Sequence, residues 1–268
     1  MIARASSARL LVLALACASC VRPIQPAAPT SAVEPPQPDS ITVGLWHMDE
    51  SVGTRVADAG PSRLDGTCGT DVHPRFGRFG NAREFVRSLD SFVYVPYQLA
   101  IESPVALTIE AWLNPRASAQ MGEASIASRW SDDVTRQSWM LAATRNTGRL
   151  LFTYLPEGAG APLTFASAGL LETGRWTHVA VTFDGEAVRF YLDGVLDAQY
   201  ATSGRIRPSG AALLIGNAFD TRYLTGFQGT LHLDPLGDSG VDASYDGLID
   251  ELRISSAARQ DFPKVVTR

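Results

Sequence analysis

The stretch "GRWTHVAVTFDGEAVRFYLDG", residues 174–194, decides how this chain folds. In its first half Val179, Val181 and Phe183 fall at every second position, with His178, Ala180 and Thr182 between them. Side chains alternate sides along a strand, so the Val/Val/Phe set shares one face. The second half repeats the pattern with Val188, Phe190 and Leu192, leaving Arg189 and Tyr191 opposite. Between the halves, "DGEA" supplies turn residues. Two apolar faces joined by a short Asp-Gly loop predict a β-hairpin lying on a core. His178 is out of phase with that core and shares its face with Trp176 and Tyr191. Sugar sites need aromatics beside polar groups, so these three are candidate ligand contacts, with plain packing as the alternative role.

Strand-like segments of the same kind recur on both sides of the hairpin. "ITVGLWHM", "NAREFV", "SFVYVPY", "ALTIEAWLNP", "SIASRW", "SWMLAAT", "RLLFTYL", "LTFASAG", "AALLIGN" and "GLIDELRIS" all fit, bounded by signals such as "NTG" and "PSG". Long helical periodicity is missing, although "SAARQDF" suits a short terminal turn. About twelve strands in one globular stretch predict an all-β, two-sheet antiparallel sandwich over residues 41–262, followed by a tail, 263–268. Residues 21–40 carry Pro23, Pro26, Pro29, Pro35, Pro36 and Pro38 with little to bury, which predicts an extended spacer. The net charge of −5 comes from interspersed acids and bases, with no basic track for nucleic acid.

The N-terminus reads as an export segment. Arg4 and Arg9 precede "LLVLALACASC", an apolar run too short to span a bilayer. Residues 1–20 therefore form a signal peptide, and "LACASC" resembles a bacterial lipoprotein box with Cys20 as the lipidated residue. Cys17 is the other candidate anchor, and an ordinary cleaved secretory signal is the alternative. In each case the mature protein is exported: on the lipoprotein reading a lipid anchor is its membrane attachment, in the outer membrane, and with an ordinary signal it is secreted. Lipidation of Cys20 leaves Cys68 alone in the folded part, hence no internal disulfide.

The hairpin motif Trp-x-His-Val-Ala-Val-Thr, with its two Asp-Gly pairs, resembles the laminin-G-like, concanavalin A-like jelly-roll family. "GLWHMDESVGTRVADAGPSRLDGT", "FGRFGNAREFVRSLDSFVYVP", with Asp90 in an acidic turn, "ALTIEAWLNP" and "GLIDELRISSAAR" fit the same family in order. The resemblance covers about residues 43–260 and implies a jelly roll, a fold that serves lectins, adhesion modules, accessory sugar-binding modules and some hydrolases. It also implies a structural calcium. Asp250 alternates in phase with Leu248, Leu252 and Ile254, so it points where apolar residues point and needs a partner. Asp58 and Asp65, in the Gly-rich "VADAGPSRLDGT", are the expected co-ligands; an Arg partner for Asp250 and turn capping by the other two is the competing reading.

One departure from the family is residues 227–247, a longer connection with Asp234, Asp238, Asp242 and Asp246 at every fourth position. That spacing does not fit an EF-hand and suits a solvated acidic loop. Tyr223 and Phe227 beside it are further candidate ligand aromatics. Catalysis has little support. Asp250 and Glu251 are neighbours on a strand and point to opposite faces, and Glu110 shares a face with Trp112 but lacks a second acid. No Gly-x-Ser-x-Gly elbow occurs, and the four histidines show no metal spacing. The expectation is a non-catalytic exported module that binds a glycan or a protein of the cell envelope. The alternatives are a structural envelope lipoprotein or, with less support, a glycoside hydrolase or polysaccharide lyase.

Overall fold

The opening hairpin forms with the predicted register, Val179 opposite Leu192 through Phe183 opposite Val188. The Asp184 carboxylate accepts hydrogen bonds from the backbone N–H of Glu186 (2.9 Å) and Ala187 (2.7 Å), which closes the first turn. At the second turn Asp193 and Gly194 have φ of 49° and 77°, the left-handed pair that two-residue hairpin loops require. That turn adds a strand, Val195–Ala201, which the sequence does not advertise because most of its side chains are exposed.

A computed structural model describes residues 33–116, 118, 120–227, 230–234 and 243–265. The signal peptide with Cys17 and Cys20, most of the spacer, Asp238, Asp242 and residues 266–268 lie outside the described residues. Strands are numbered in chain order. One sheet runs β14 (Val195–Ala201), β13 (Ala187–Leu192), β12 (Thr177–Phe183), β7 (Leu107–Pro115), β18 (Gly247–Ser255), β5 (Asn81–Phe85) and β4 (Val72–Phe76). β1 (Thr42–Trp46) also pairs with β18. The other runs β11 (Leu163–Leu170), β10 (Arg149–Tyr154), β9 (Trp139–Thr144), β8 (Glu123–Arg129), β15 (Leu213–Ile215), β6 (Val93–Val95), β3 (Gly66–Cys68) and β2 (Arg55–Val56). The pairings within both sheets are antiparallel. This is the jelly-roll sandwich that the sequence predicts.

The core between the sheets is built from every second residue of facing strands. Ile109, Ala111 and Leu113 of β7 meet Val179, Val181 and Phe183 beside them, and Ile126, Leu141, Leu150 and Phe152 come from the second sheet. Each large side chain buried this way contributes about 1.5–3 kcal/mol. A separate small cluster, Phe92, Leu214, Phe219 and Leu233, lies outside this core. Leu224, Leu231 and Leu233 of the hairpin β16 (Leu224–Phe227) and β17 (Thr230–Leu233) pack there, so the insertion starts as a hairpin. Asp90 pins it by accepting from Leu233 N (2.8 Å) and from His232 Nδ1 (3.1 Å). The "SAARQDF" segment forms bends and coil rather than a helical turn.

One expectation about faces is corrected. Ile249 enters the core, and a bulge follows in which Glu251 takes φ 53° before Leu252 and Ile254 return to the core. The bulge flips the phase, so Asp250 is not in line with Leu252 and lies under the 77–80 loop instead. His178 and Tyr191 do lie on the face away from the core, yet they are only 2% and 7% exposed. The chain after β18 covers them, with the Phe262 ring 4.7 Å from Tyr191 and 5.8 Å from His178. Arg259 clamps this cover to the spacer's end through two 2.7 Å contacts with the Asp39 carboxylate.

Candidate functional site

The sequence-derived ligand residues do not form one site. Trp176, just ahead of β12, is half-buried, while His178 of β12 and Tyr191 of β13 are sealed beneath Phe262. Tyr223, exposed in a short 3₁₀ turn (Thr221–Tyr223) ahead of the insertion, and Phe227, at the end of β16 where the insertion begins, belong to the segment after β15. His178 also has a structural role. Its Nε2 lies 3.2 Å from Glu110, which accepts from Arg253 Nε at 2.8 Å. Burial pushes the Glu110 carboxyl up, but the His178 hydrogen bond and the Arg253 charge prevail and hold it below its ordinary value.

A cavity of about 520 Å³ opens on the outer side of the second sheet. Ser125 of β8 and Met140 of β9 line it, and Ala218 and Phe219 after β15 form one wall. Trp130, Ser131 and Asp132, the residues that follow β8, line it as well. Glu123, Arg87 and Arg145 complete the rim. Ser125 N donates to Ala243 O (2.7 Å), itself a lining residue, and Ser128 Oγ donates to Asn217 O (2.9 Å), next to Ala218, so this lining is tied to the sheet. The Arg222 guanidinium joins the Asp133 carboxylate (2.9 Å) to that of Asp220, tying the segment after β8 to the one after β15. Arg222 holds the Asp220 carboxyl below the usual carboxylate range.

Chemically the cavity offers one half-exposed indole, two guanidiniums, two carboxylates and two hydroxyls around an apolar floor. That mixture suits a neutral polyol. Carboxylates accept from hydroxyls, guanidiniums donate to them, and the indole covers the apolar face of a ring. Sequence reasoning missed Trp130. Its signal was an aromatic placed just past the last core position of a strand, at the start of the polar run "WSDD".

The three carboxylates expected to hold calcium are not brought together. Asp58 is buried and saturated by backbone donors: Leu45 N (2.8 Å) and Gly60 N (2.7 Å) on Oδ1, Leu64 N (2.7 Å) on Oδ2. Asp65 accepts from Asp58 N (2.9 Å) and from Arg55 (2.7 Å). Both organise the loop. Asp250 differs. Its Oδ2 accepts from Arg78 N (2.7 Å) and Phe79 N (3.0 Å), while Oδ1 is buried with no partner. Burial first, then the nearby charges of Glu251 and Asp49, push its carboxyl up to about 7, against the pull of the Phe79 and Arg78 N–H groups. Glu251 beside it holds the positive φ of the bulge, 53°. No group of three His, Cys, Asp or Glu side chains suited to a metal occurs among the described residues.

Residues 88–261 match the Laminin_G_3 family, described as the concanavalin A-like lectin/glucanases superfamily, and the chain belongs to it. No curated protein matches the chain by sequence. Among solved structures it is similar to the binding domain of Paraclostridial Mosquitocidal Protein 1, with 12% identity and a TM-score of 0.61 over 82% of this chain and 49% of that one. It is similar to the botulinum neurotoxin serotype G binding domain, with 14% identity and a TM-score of 0.58 over 81% of this chain and 48% of that one. The chain thus spans about half the length of these two. It is also similar to domain 4 of AbnA, a GH43 extracellular arabinanase from Geobacillus stearothermophilus solved with arabinotriose. There the identity is 18% and the TM-score 0.55, over 81% of this chain and 93% of that domain. At these identities the likeness is one of fold. Among the described residues no helix is long and apolar enough to cross a membrane.

Proposed function

We propose that this chain is a non-catalytic, exported glycan-binding module whose ligand occupies the cavity beside Trp130, displayed from a lipid anchor at Cys20. The observation that carries this reading is the half-exposed indole set among paired guanidiniums and carboxylates in a cavity of about 520 Å³. Cavities of this size fall in the range that holds small ligands. The arabinotriose bound to the AbnA domain shows that a similar fold can carry a sugar ligand. A glycan array probed with the full chain is expected to give reproducible binding to defined neutral oligosaccharides. Trp130→Ala, which removes the stacking surface from a partly exposed position, is expected to weaken that binding about 30-fold or more without changing the fold. Silence across the array sinks the reading, and release of reducing sugar from a polysaccharide overturns its non-catalytic part.

We also propose that Asp250, rather than Asp58 or Asp65, serves a structural calcium. The exposed Asp49 carboxylate contributes to the same acidic neighbourhood and gives an approach from solvent. Calcium takes 6–8 oxygens, so backbone carbonyls and water complete such a set. Bound there, the ion would neutralise a carboxylate that otherwise sits buried with one bare oxygen.

A further inference from the structure

One row of residues crosses four neighbouring strands of the first sheet. His73 of β4 lies opposite Glu84 of β5, Glu84 opposite Leu248 of β18, and Leu248 opposite Asn114 of β7. Their chain neighbours Phe85, Ile249 and Leu113 enter the core, so strand alternation turns this row outward. A cavity of about 640 Å³ opens there, lined by Glu84, Leu248 and Asn114 together with Arg75, Phe76 and Arg116. It shares no lining residue with the cavity beside Trp130.

The Glu84 side chain is only 8% exposed, and each of its carboxylate oxygens meets a guanidinium. Oε2 pairs with Arg75 (2.7 Å) and Oε1 with Arg116. Both guanidiniums stay about half exposed, so Glu84 fixes them without covering them. Less rotamer freedom is then left to lose when they bind something else. Arg116 also reaches Asp246 (3.1 Å), which is not a lining residue. The cavity thus presents two guanidiniums against one carboxylate, in a chain whose net charge is −5. Phe76, at the end of β4, is 91% exposed, a phenyl ring that the core does not use. Beneath the row, Gly247 (φ 148°) brings β18 close to β7, where a Cβ would meet Asn114 O at 2.5 Å.

We propose that this cavity is a second binding site, specific for a carboxylated sugar ring, the uronic acid unit of an acidic polysaccharide. Guanidiniums donate to a carboxylate in charge-assisted pairs, and the phenyl ring covers the apolar face of a pyranose. The Asn114 amide donates to or accepts from a ring hydroxyl. A uronate carries carboxylate, ring face and hydroxyls at fixed spacing, which neither a neutral sugar nor a free anion does. An acidic peptide adding as a strand would use the sheet edge instead, and there β4 carries Pro74, which has no N–H. The site stands on this local chemistry and does not depend on what the Trp130 cavity binds.

Isothermal titration of the full chain with trigalacturonate, in chelator so that calcium cannot bridge, is expected to show binding at one site. Galactotriose is expected to bind about tenfold or more weakly. Binding of trigalacturonate is expected to weaken as salt rises, since exposed charges carry part of it. Phe76→Ala and Arg75→Gln, both at exposed positions, are each expected to weaken it about tenfold or more with unchanged circular dichroism. Trp130→Ala is expected to leave it unchanged, which separates this site from the other cavity whatever that one binds. No binding of trigalacturonate, or equal binding of galactotriose, overturns the proposal. So does full binding by either the Phe76 or the Arg75 variant, or loss of binding in Trp130→Ala. A polyglutamate peptide that binds as tightly and depends on Phe76 and Arg75 assigns the cavity to a protein partner and overturns it too.

Discussion

Glu110→Ala should lower the unfolding free energy at neutral pH by about 3–5 kcal/mol, measured by chemical denaturation. Glu110 lies on β7 with its carboxylate on the outer face of the first sheet, 1% exposed. One oxygen accepts from Arg253 at 2.7 and 2.8 Å, and the other lies 3.2 Å from His178 Nε2. Breaking a buried pair by removing one member strands the other, so the cost comes mainly from Arg253, whose side chain is 10% exposed. The pH dependence has a definite sign. Because the folded state holds the Glu110 carboxyl below its ordinary value of 4.5, its contribution is complete above that value. It is lost as pH falls through the lowered folded value, so the gap between wild type and variant should narrow in acid. A gap that stays constant with pH would assign the loss to packing rather than to charge.

This network also explains which parts of the site were legible in the sequence. Alternation placed His178 and Tyr191 correctly on the face opposite Val179 and Val181, because strand geometry is local. It could not say what covers that face. The cover is Phe262, more than 70 residues along the chain, held by an Arg259–Asp39 pair that joins the two ends of the domain. Asp250 failed for a different reason. A single left-handed residue, Glu251, resets the phase of β18, and nothing in "LIDELRI" marks a bulge. β14 was invisible because an edge strand with few buried side chains shows little apolar alternation, and Trp130 because it stands beyond the periodic part of β8. The hairpin turns, by contrast, were readable from two Asp-Gly pairs, since their conformations are set by those residues alone.

Calcium should raise the melting temperature by about 5–10 °C over the chelated protein at an ion concentration near 100 times the dissociation constant, which corresponds to about 2.7 kcal/mol. The reasoning starts from Asp250 Oδ1, which is buried without a partner beside Asp49 and Glu251. In the chelated protein a proton must neutralise this carboxyl. Its folded value near 7 lies above the unfolded 3.8, so between these two the folded state binds more protons. Stability of the chelated protein should therefore fall as pH rises from about 4 to about 7 and stay low beyond. Calcium competes with that proton, so its stabilising effect should grow across the same range. Asp250→Asn keeps an oxygen for the Arg78 and Phe79 N–H groups while removing the charge. The variant should lose both the calcium response and the decline with pH, and above pH 7 it should be more stable than the chelated wild type. A wild-type melting temperature that ignores both calcium and chelator would remove the ion from this site and leave the proton as the group that neutralises Asp250.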